Sequence, residues 1–358
     1  MHQLKVLFAL AAATTLVACG GGGGDSPSPT PPAPVPTPAQ VPVPAPAPAP
    51  APGPAVGTNG TLQTSVAAAS YPDARRLNAF NQLNAARGGA GAGLLAQSAS
   101  LDTSAASHAA YLTVNGFNSA DSAHDETAGL VDFTGADPFV RMQNAGYGYY
   151  SFATEVIGDI GSTSATSDCV GDLLDTVYHA VSMLSRSTDA GFGFGSGTAA
   201  GMCTIDMAAP RDATRQIPPS GAIVAYPYGG STVAHGTFHV SNETPRVSLA
   251  LLPNATAGTP IVAGFRNQDA VAGGTVTITQ FSIANAAGKA LPGVILAGPD
   301  VAGTNVNSDD GLKYDPDFAV LVPVAPLPAG TYTVTLQATI SGGQALALTS
   351  WSFTVAAP

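Results

Sequence analysis

Basic residues are scarce in this chain. Twelve Lys and Arg stand against 23 Asp and Glu in 358 residues, a formal net charge of -11, and only 10% of residues are charged. A protein that neutralises phosphates needs a basic stripe, so binding to a nucleic-acid backbone is excluded. Cysteine is nearly absent too, with three residues in all. Nor is there a long apolar run. The one near the start, Val6 to Val17, is far short of the roughly 20 residues that cross a bilayer. His-Glu-x-x-His and Gly-x-Ser-x-Gly are both missing, so the sequence announces neither a zinc protease nor a serine hydrolase.

What is present begins with an export signal. Lys5, the apolar run and the tetrad Leu16-Val17-Ala18-Cys19 read as a secretory signal over residues 1–18. The tetrad resembles the lipobox of bacterial lipoproteins, which implies cleavage before Cys19 and its lipidation. An ordinary secretory signal with an incidental cysteine is the alternative. Gly20, rather than the aspartate that retains lipoproteins in the inner membrane, implies an outer-membrane address. Residues 19–65 form a disordered Gly/Pro-rich tether. Gly20 to Gly24 fix no conformation, and from Ser26 to Pro54 prolines alternate with Ala, Val and Thr. Extended polyproline II at about 3.1 Å per residue would hold a folded body on the order of 100 Å from the lipid.

About 300 residues remain, enough for two ordinary domains, with the division placed near Pro218-Pro219. Over residues 66–216 helical spacing dominates. Leu77, Phe80, Leu83 and Ala86 share a stripe that Gly88-Gly89 ends. Leu101, Ala105, His108 and Leu112 share another. A third helix is predicted from Asp168 to Leu184, and Gly191–Gly195 and Met202–Met207 read as short strands. This pattern predicts an α+β domain or an α-β-α sandwich, the latter being the fold that the family resemblance given below implies. Over residues 217–358 the period changes to two. Tyr332, Val334, Leu336, Ala338 and Ile340 alternate with polar residues, as do Phe318 to Val324 and Trp351 to Val355. Val276 and Ile278 shift parity to Phe281 and Ile283, which signals a β-bulge or a strand that switches faces. An antiparallel β-sandwich of roughly seven or eight strands is expected. Asn305, Asn307 and Asp309 start like a calcium loop, but Gly311 is one place late and no closing glutamate follows, so a solvated turn is the reading.

Cys169 and Cys203 are the other two cysteines, and in an exported chain an isolated pair reads as a disulfide. It would contribute about 2–4 kcal/mol. Four polar residues carry the functional question: His124, Glu155, Asp175 and His179. Asp175 precedes His179 by four, so on one helix both share a face. Two histidines and two carboxylates are the ingredients of a divalent-metal site or an acid–base pair. Each histidine taken alone is more often a structural hydrogen-bonder. His108, on an apolar stripe, reads as a packed core residue.

Leu83-Asn84-Ala85-Ala86-Arg87, Gly93-Leu94-Leu95, Leu101 and His108 resemble the opening of the CAP superfamily (cysteine-rich secretory, antigen 5 and pathogenesis-related 1 proteins, or SCP domains). His124, Asp137 to Met142, Ala145-Gly146-Tyr147, Glu155 and Tyr178-His179 continue the order. The resemblance implies a cleft with two histidines and two acids, on which His124, Glu155 and His179 fall, with Asp175 as the fourth candidate. Thr154 and Val156 depart from the family's glycine and asparagine beside the glutamate. Tyr226-Pro227, Glu243-Thr244-Pro245 and Trp351-Ser352-Phe353 resemble an appended Ig-like domain. The resemblance implies a lipid-anchored envelope protein that binds a lipid, cell-wall or protein ligand, with Zn²⁺ or another divalent cation bound weakly. A metal-dependent hydrolase of peptide or cell-wall substrates, with Glu155 as general base, is the alternative.

Overall fold

The chain departs from an extended entry at Asp73, whose carboxylate accepts from the Arg75 amide and starts the first helix. The computed structural model describes residues 61–116, 122–159, 168–196, 202–212, 215–219, 221–243, 245, 247–248, 250–265, 275–340, 344–346 and 348–357. The signal, Cys19 and the tether up to residue 60 lie outside the described residues.

Helix α1, Ala74–Ala90, ends on Gly91 in the left-handed region, where a glycine has no Cβ to clash. Helix α2, Ala99–Asn115, is capped by Ser98 and buries Leu101, Ala105, His108 and Leu112. Helix α3, Pro138–Asn144, has Asp137 as its cap and proline in its first turn. The helix expected over Asp168–Leu184 is two: α4, Cys169–Leu174, and α5, Val177–Met183. The chain leaves the helical path at Asp175 and Thr176, and a long-range contact favours the break. Glu243 reaches back to accept the Tyr178 amide at 3.0 Å, serving the first turn of α5 that Thr176 does not cap. Asp175 and His179 therefore sit on different elements.

Four strands form the first sheet: β1 (Ala96–Gln97), β2 (Tyr150–Asp159), β3 (Asp189–Phe194) and β4 (Met202–Pro210), in the order β1-β3-β4-β2. Helix α2 crosses β3 at unusually short range, which explains the alternation Gly191-Phe192-Gly193. A Cβ on Gly191 would lie 2.0 Å from the backbone of Leu101, and one on Gly193 2.1 Å from that of Ala105. Cys169 and Cys203 are joined by a disulfide, Cα atoms 6.5 Å apart, which ties α4 to β4.

Beyond residue 219 two larger sheets dominate. The five-stranded one runs Val306–Ser308, Gly293–Ala297, Phe318–Pro323, Ile261–Phe265, Ile223–Tyr226. The seven-stranded one is built around Val276–Asn285, Gly330–Ile340 and Ser350–Val355. Its register slips between Ile278 and Gln280, the bulge that the parity shift marks. Strand Phe318–Pro323 is buried at every position, so both of its faces are covered.

The fold class is corrected. Among the described residues strand exceeds helix, 34% to 23%, so they form a mostly β structure with a few helices and not one led by an α-β-α sandwich. Nor are the later sheets purely antiparallel. Val301–Gly303, Val306–Ser308 and Thr232–Val233 each pair in parallel with a neighbour. The physical reason is that periodicity reports which face is buried, while strand direction and layer order come from long-range pairing. One apolar core runs from Tyr71 to Val355 without interruption near Pro218-Pro219, and residues 49–358 make one compact unit. Asn305, Asn307 and Asp309 serve packing: Asp309 accepts the Tyr178 hydroxyl at 2.9 Å and caps its own turn at the Gly311 amide.

Candidate functional site

The buried wall of the site is a charged network. Arg141 on α3 is 1% exposed, and a guanidinium in that setting must be paired. One of its nitrogens donates to both Glu155 oxygens at 2.9 and 2.8 Å, and another to the His124 carbonyl at 2.9 Å. Glu155 also accepts from His124 Nδ1 at 2.9 Å. Burial pushes the Glu155 carboxyl up, but the His124 hydrogen bond and the Arg141 charge outweigh it and hold it at about 2. His108, wholly buried, bonds Glu126 through Nδ1 at 2.9 Å and the Ala123 carbonyl through Nε2 at 3.0 Å. Asp206, opposite Glu155 across β2 and β4, is raised well above a normal carboxyl by burial and by the Glu155 charge.

In front of this wall lies a cavity of about 1270 Å³. His124 and His179 line it together with Asp172, Asp175, His235 and His239. Glu155 does not line it: the structure brings Glu155 to His124 from behind. Both of its oxygens are engaged by Arg141, and a carboxylate held so low is a weak base.

The hydrogen bonds fix how the two imidazoles present themselves. Thr176 Oγ1 donates its one proton to the Leu173 carbonyl at 2.7 Å, so toward His179 Nδ1, 2.8 Å away, it can only accept. His179 therefore holds its proton on Nδ1 and carries a bare lone pair on Nε2. Burial, then the nearby His124, press its pKa down to about 4, so the ring is neutral at ordinary pH. The ionised Glu155 likewise draws a proton onto Nδ1 of His124, leaving Nε2 as the free nitrogen. An imidazole steered by an acceptor behind it is the usual arrangement of a metal-ligating histidine.

Asp175 ends α4 at the cavity and is 6% exposed. Its Oδ1 has no hydrogen-bond partner among the described residues. Burial, then the charges of Asp172 and Asp168, raise its carboxyl to about 8. The donors fit a borderline cation in kind, with two imidazoles and one unsatisfied oxygen. They do not converge as they stand: among the described residues no three His, Cys, Asp or Glu side chains form a ready metal cluster.

Several of these residues escape the sequence reading. Arg141 is singled out there only within a motif. Asp206 carries a signal that could have found it, one acid in a strand whose positions are almost all buried. His235 and His239 come from the other side of Pro218-Pro219, and only the folded chain brings them to the cavity.

No family model matches the chain, and no curated protein does either. The solved structures that match include CopC from Methylosinus trichosporium OB3b, 15% identical over 37% of this chain and 87% of that one, at a TM-score of 0.21. PcoC from Escherichia coli, a copper resistance protein, is 18% identical over 37% of this chain and 95% of its own, at 0.20. A second PcoC structure from Escherichia coli, described as methionine rich, gives 17% and 0.18. The resemblance to the CAP superfamily is thereby corrected: no family model supports it, and these matches are to copper resistance proteins. The motifs that carry it are short segments scattered along the chain. TM-scores this low carry no inference about the cavity.

Proposed function

We propose that this is an exported, lipid-anchored envelope protein that works as a binding protein, taking a divalent cation weakly between His124 and His179. The observation that supports it is the pair of imidazoles whose Nδ1 atoms are engaged by Glu155 and Thr176, with Nε2 left toward one cavity. Asp175 would supply an oxygen at the edge, and water the remaining positions, an open site of modest affinity. Export is supported by the Leu16 to Cys19 tetrad and by the Cys169–Cys203 disulfide, which suits an oxidising compartment. Imidazole nitrogens suit Zn²⁺ and Cu²⁺ alike.

Titration calorimetry with Zn²⁺ tests the reading. The wild type should bind one equivalent, and His124→Ala/His179→Ala should lose the binding heat while melting as a folded protein. Equal heats from both proteins would end the idea.

A further inference from the structure

Eight large apolar side chains stand exposed among the described residues, and seven of them lie between residues 114 and 149. Chance scatter over a surface needs no explanation, but such concentration does. Val131 is 61% exposed, Tyr149 73% and Leu130 45%, with Phe133, Phe139 and Val140 close behind.

The loop that carries Leu130, Val131 and Phe133 is held firmly, with Val114 on α2, Phe139 and Val140 on α3 and Tyr149 just before β2. Its base closes where the Glu126 amide donates to the Ala136 carbonyl at 3.0 Å. The buried Glu126 carboxylate accepts the Thr134 amide at 2.6 Å and the Gly135 amide at 3.2 Å. Asn115 from α2 donates to the Val131 carbonyl at 2.9 Å, and Asn144 from α3 to the Thr134 carbonyl at 2.7 Å. The Thr127 amide donates to the Tyr111 hydroxyl at 2.9 Å. An apolar loop braced from two helices, with its side chains still in water, is built to present them. Phe139 and Tyr150 pack with ring centroids 5.7 Å apart, and the Arg211 guanidinium lies 5.5 Å over the ring of Tyr149.

We infer that this face docks on a lipid bilayer, with Val131, Phe133 and Tyr149 entering the headgroup region. The occupant is set by the chain itself, and to that extent the inference rests on the anchor at Cys19. Residues 20–60 join that anchor to the described body, which keeps the loop within on the order of 100 Å of the membrane. Tyr suits the interfacial zone, and apolar side chains such as Phe133 enter the headgroup–acyl boundary. The chain's net charge of -11 and the carboxylates Asp132 and Asp137 beside the loop oppose anionic lipid. Zwitterionic headgroups, with a phosphate for Arg211, are therefore the fitting surface.

Residues 20–358, which contain the whole compact unit and carry no lipid, should co-sediment with pure phosphatidylcholine vesicles. Val131→Asp/Tyr149→Ser should partition about tenfold more weakly with an unchanged melting midpoint, since both positions are exposed. Tyr314→Ser, an exposed aromatic outside this face, should bind as the wild type does. No sedimentation of the wild type, equal partitioning of all three, or binding only when phosphatidylglycerol is added would each overturn the inference. So would a dimer in sedimentation velocity that the double variant abolishes without any vesicle binding. Clickable-palmitate labelling in cells reads the anchor separately. If Cys19→Ala is still labelled while the soluble body binds vesicles, the anchor fails and the docking face stands.

Discussion

Glu155 and Asp206 are cross-strand partners on β2 and β4, two buried carboxyl groups whose acidities are driven apart. Against its burial, Glu155 is held low by His124 and Arg141; Asp206 is raised because burial and the Glu155 charge both oppose its ionisation.

That division makes the two positions unequal under substitution. Asp206→Asn, which resembles the protonated acid, should cost under about 1 kcal/mol. Glu155→Gln takes from the buried Arg141 its nearest carboxylate and leaves it, among the described carboxylates, only Glu126 at 3.7 Å, which should cost about 3 kcal/mol or more. Urea unfolding at pH 7 measures both. Equal losses would show that the charge is not placed as described.

Asp175 predicts how stability varies with pH. Its folded carboxyl titrates near 8, against about 3.9 in an unfolded chain. Between these values the folded state holds the extra proton, so this group's contribution falls as pH rises from about 4 to 8 and is level above. Asp175→Asn should flatten that slope and raise stability at pH 8. The same acid couples to metal: at pH 7 a cation that engages it must displace about one proton. Binding heats should then vary with the ionisation enthalpy of the buffer in the wild type and not in Asp175→Asn.

The glycines of β3 set the distance to α2. Gly193→Ala places a Cβ against the Ala105 backbone, where no side-chain rotation relieves the contact. Overpacking of backbone against backbone should cost about 3 kcal/mol or more, read as a lower thermal midpoint. Gly230→Ala, with nothing within 4 Å but a positive φ of 81°, should cost about 1 kcal/mol by strain alone.

Local features were legible wherever local chemistry decides them. The stripe through Leu101, Ala105, His108 and Leu112 is the buried side of α2, and the parity shift after Ile278 is a register slip. Distant partners were not legible. Nothing near Asp175 in sequence says that Glu243 will serve the start of α5 and divide the predicted helix. Arg141 looks like an exposed helical residue until its guanidinium is seen on Glu155. Family resemblance misled for a related reason: His124, Glu155 and His179 occur in the right order, but order does not tell which of them faces the cavity.

The uninterrupted core beneath the cavity has a mechanical consequence. The walls come from both sides of Pro218-Pro219, yet Tyr178 is bonded to Asp309 and Arg186 to Asp317 across that line, and the apolar interior passes straight through it. Among the described residues the two sides of the cavity are thus cross-tied, so its walls are expected to move as one body rather than to swing about Pro218-Pro219.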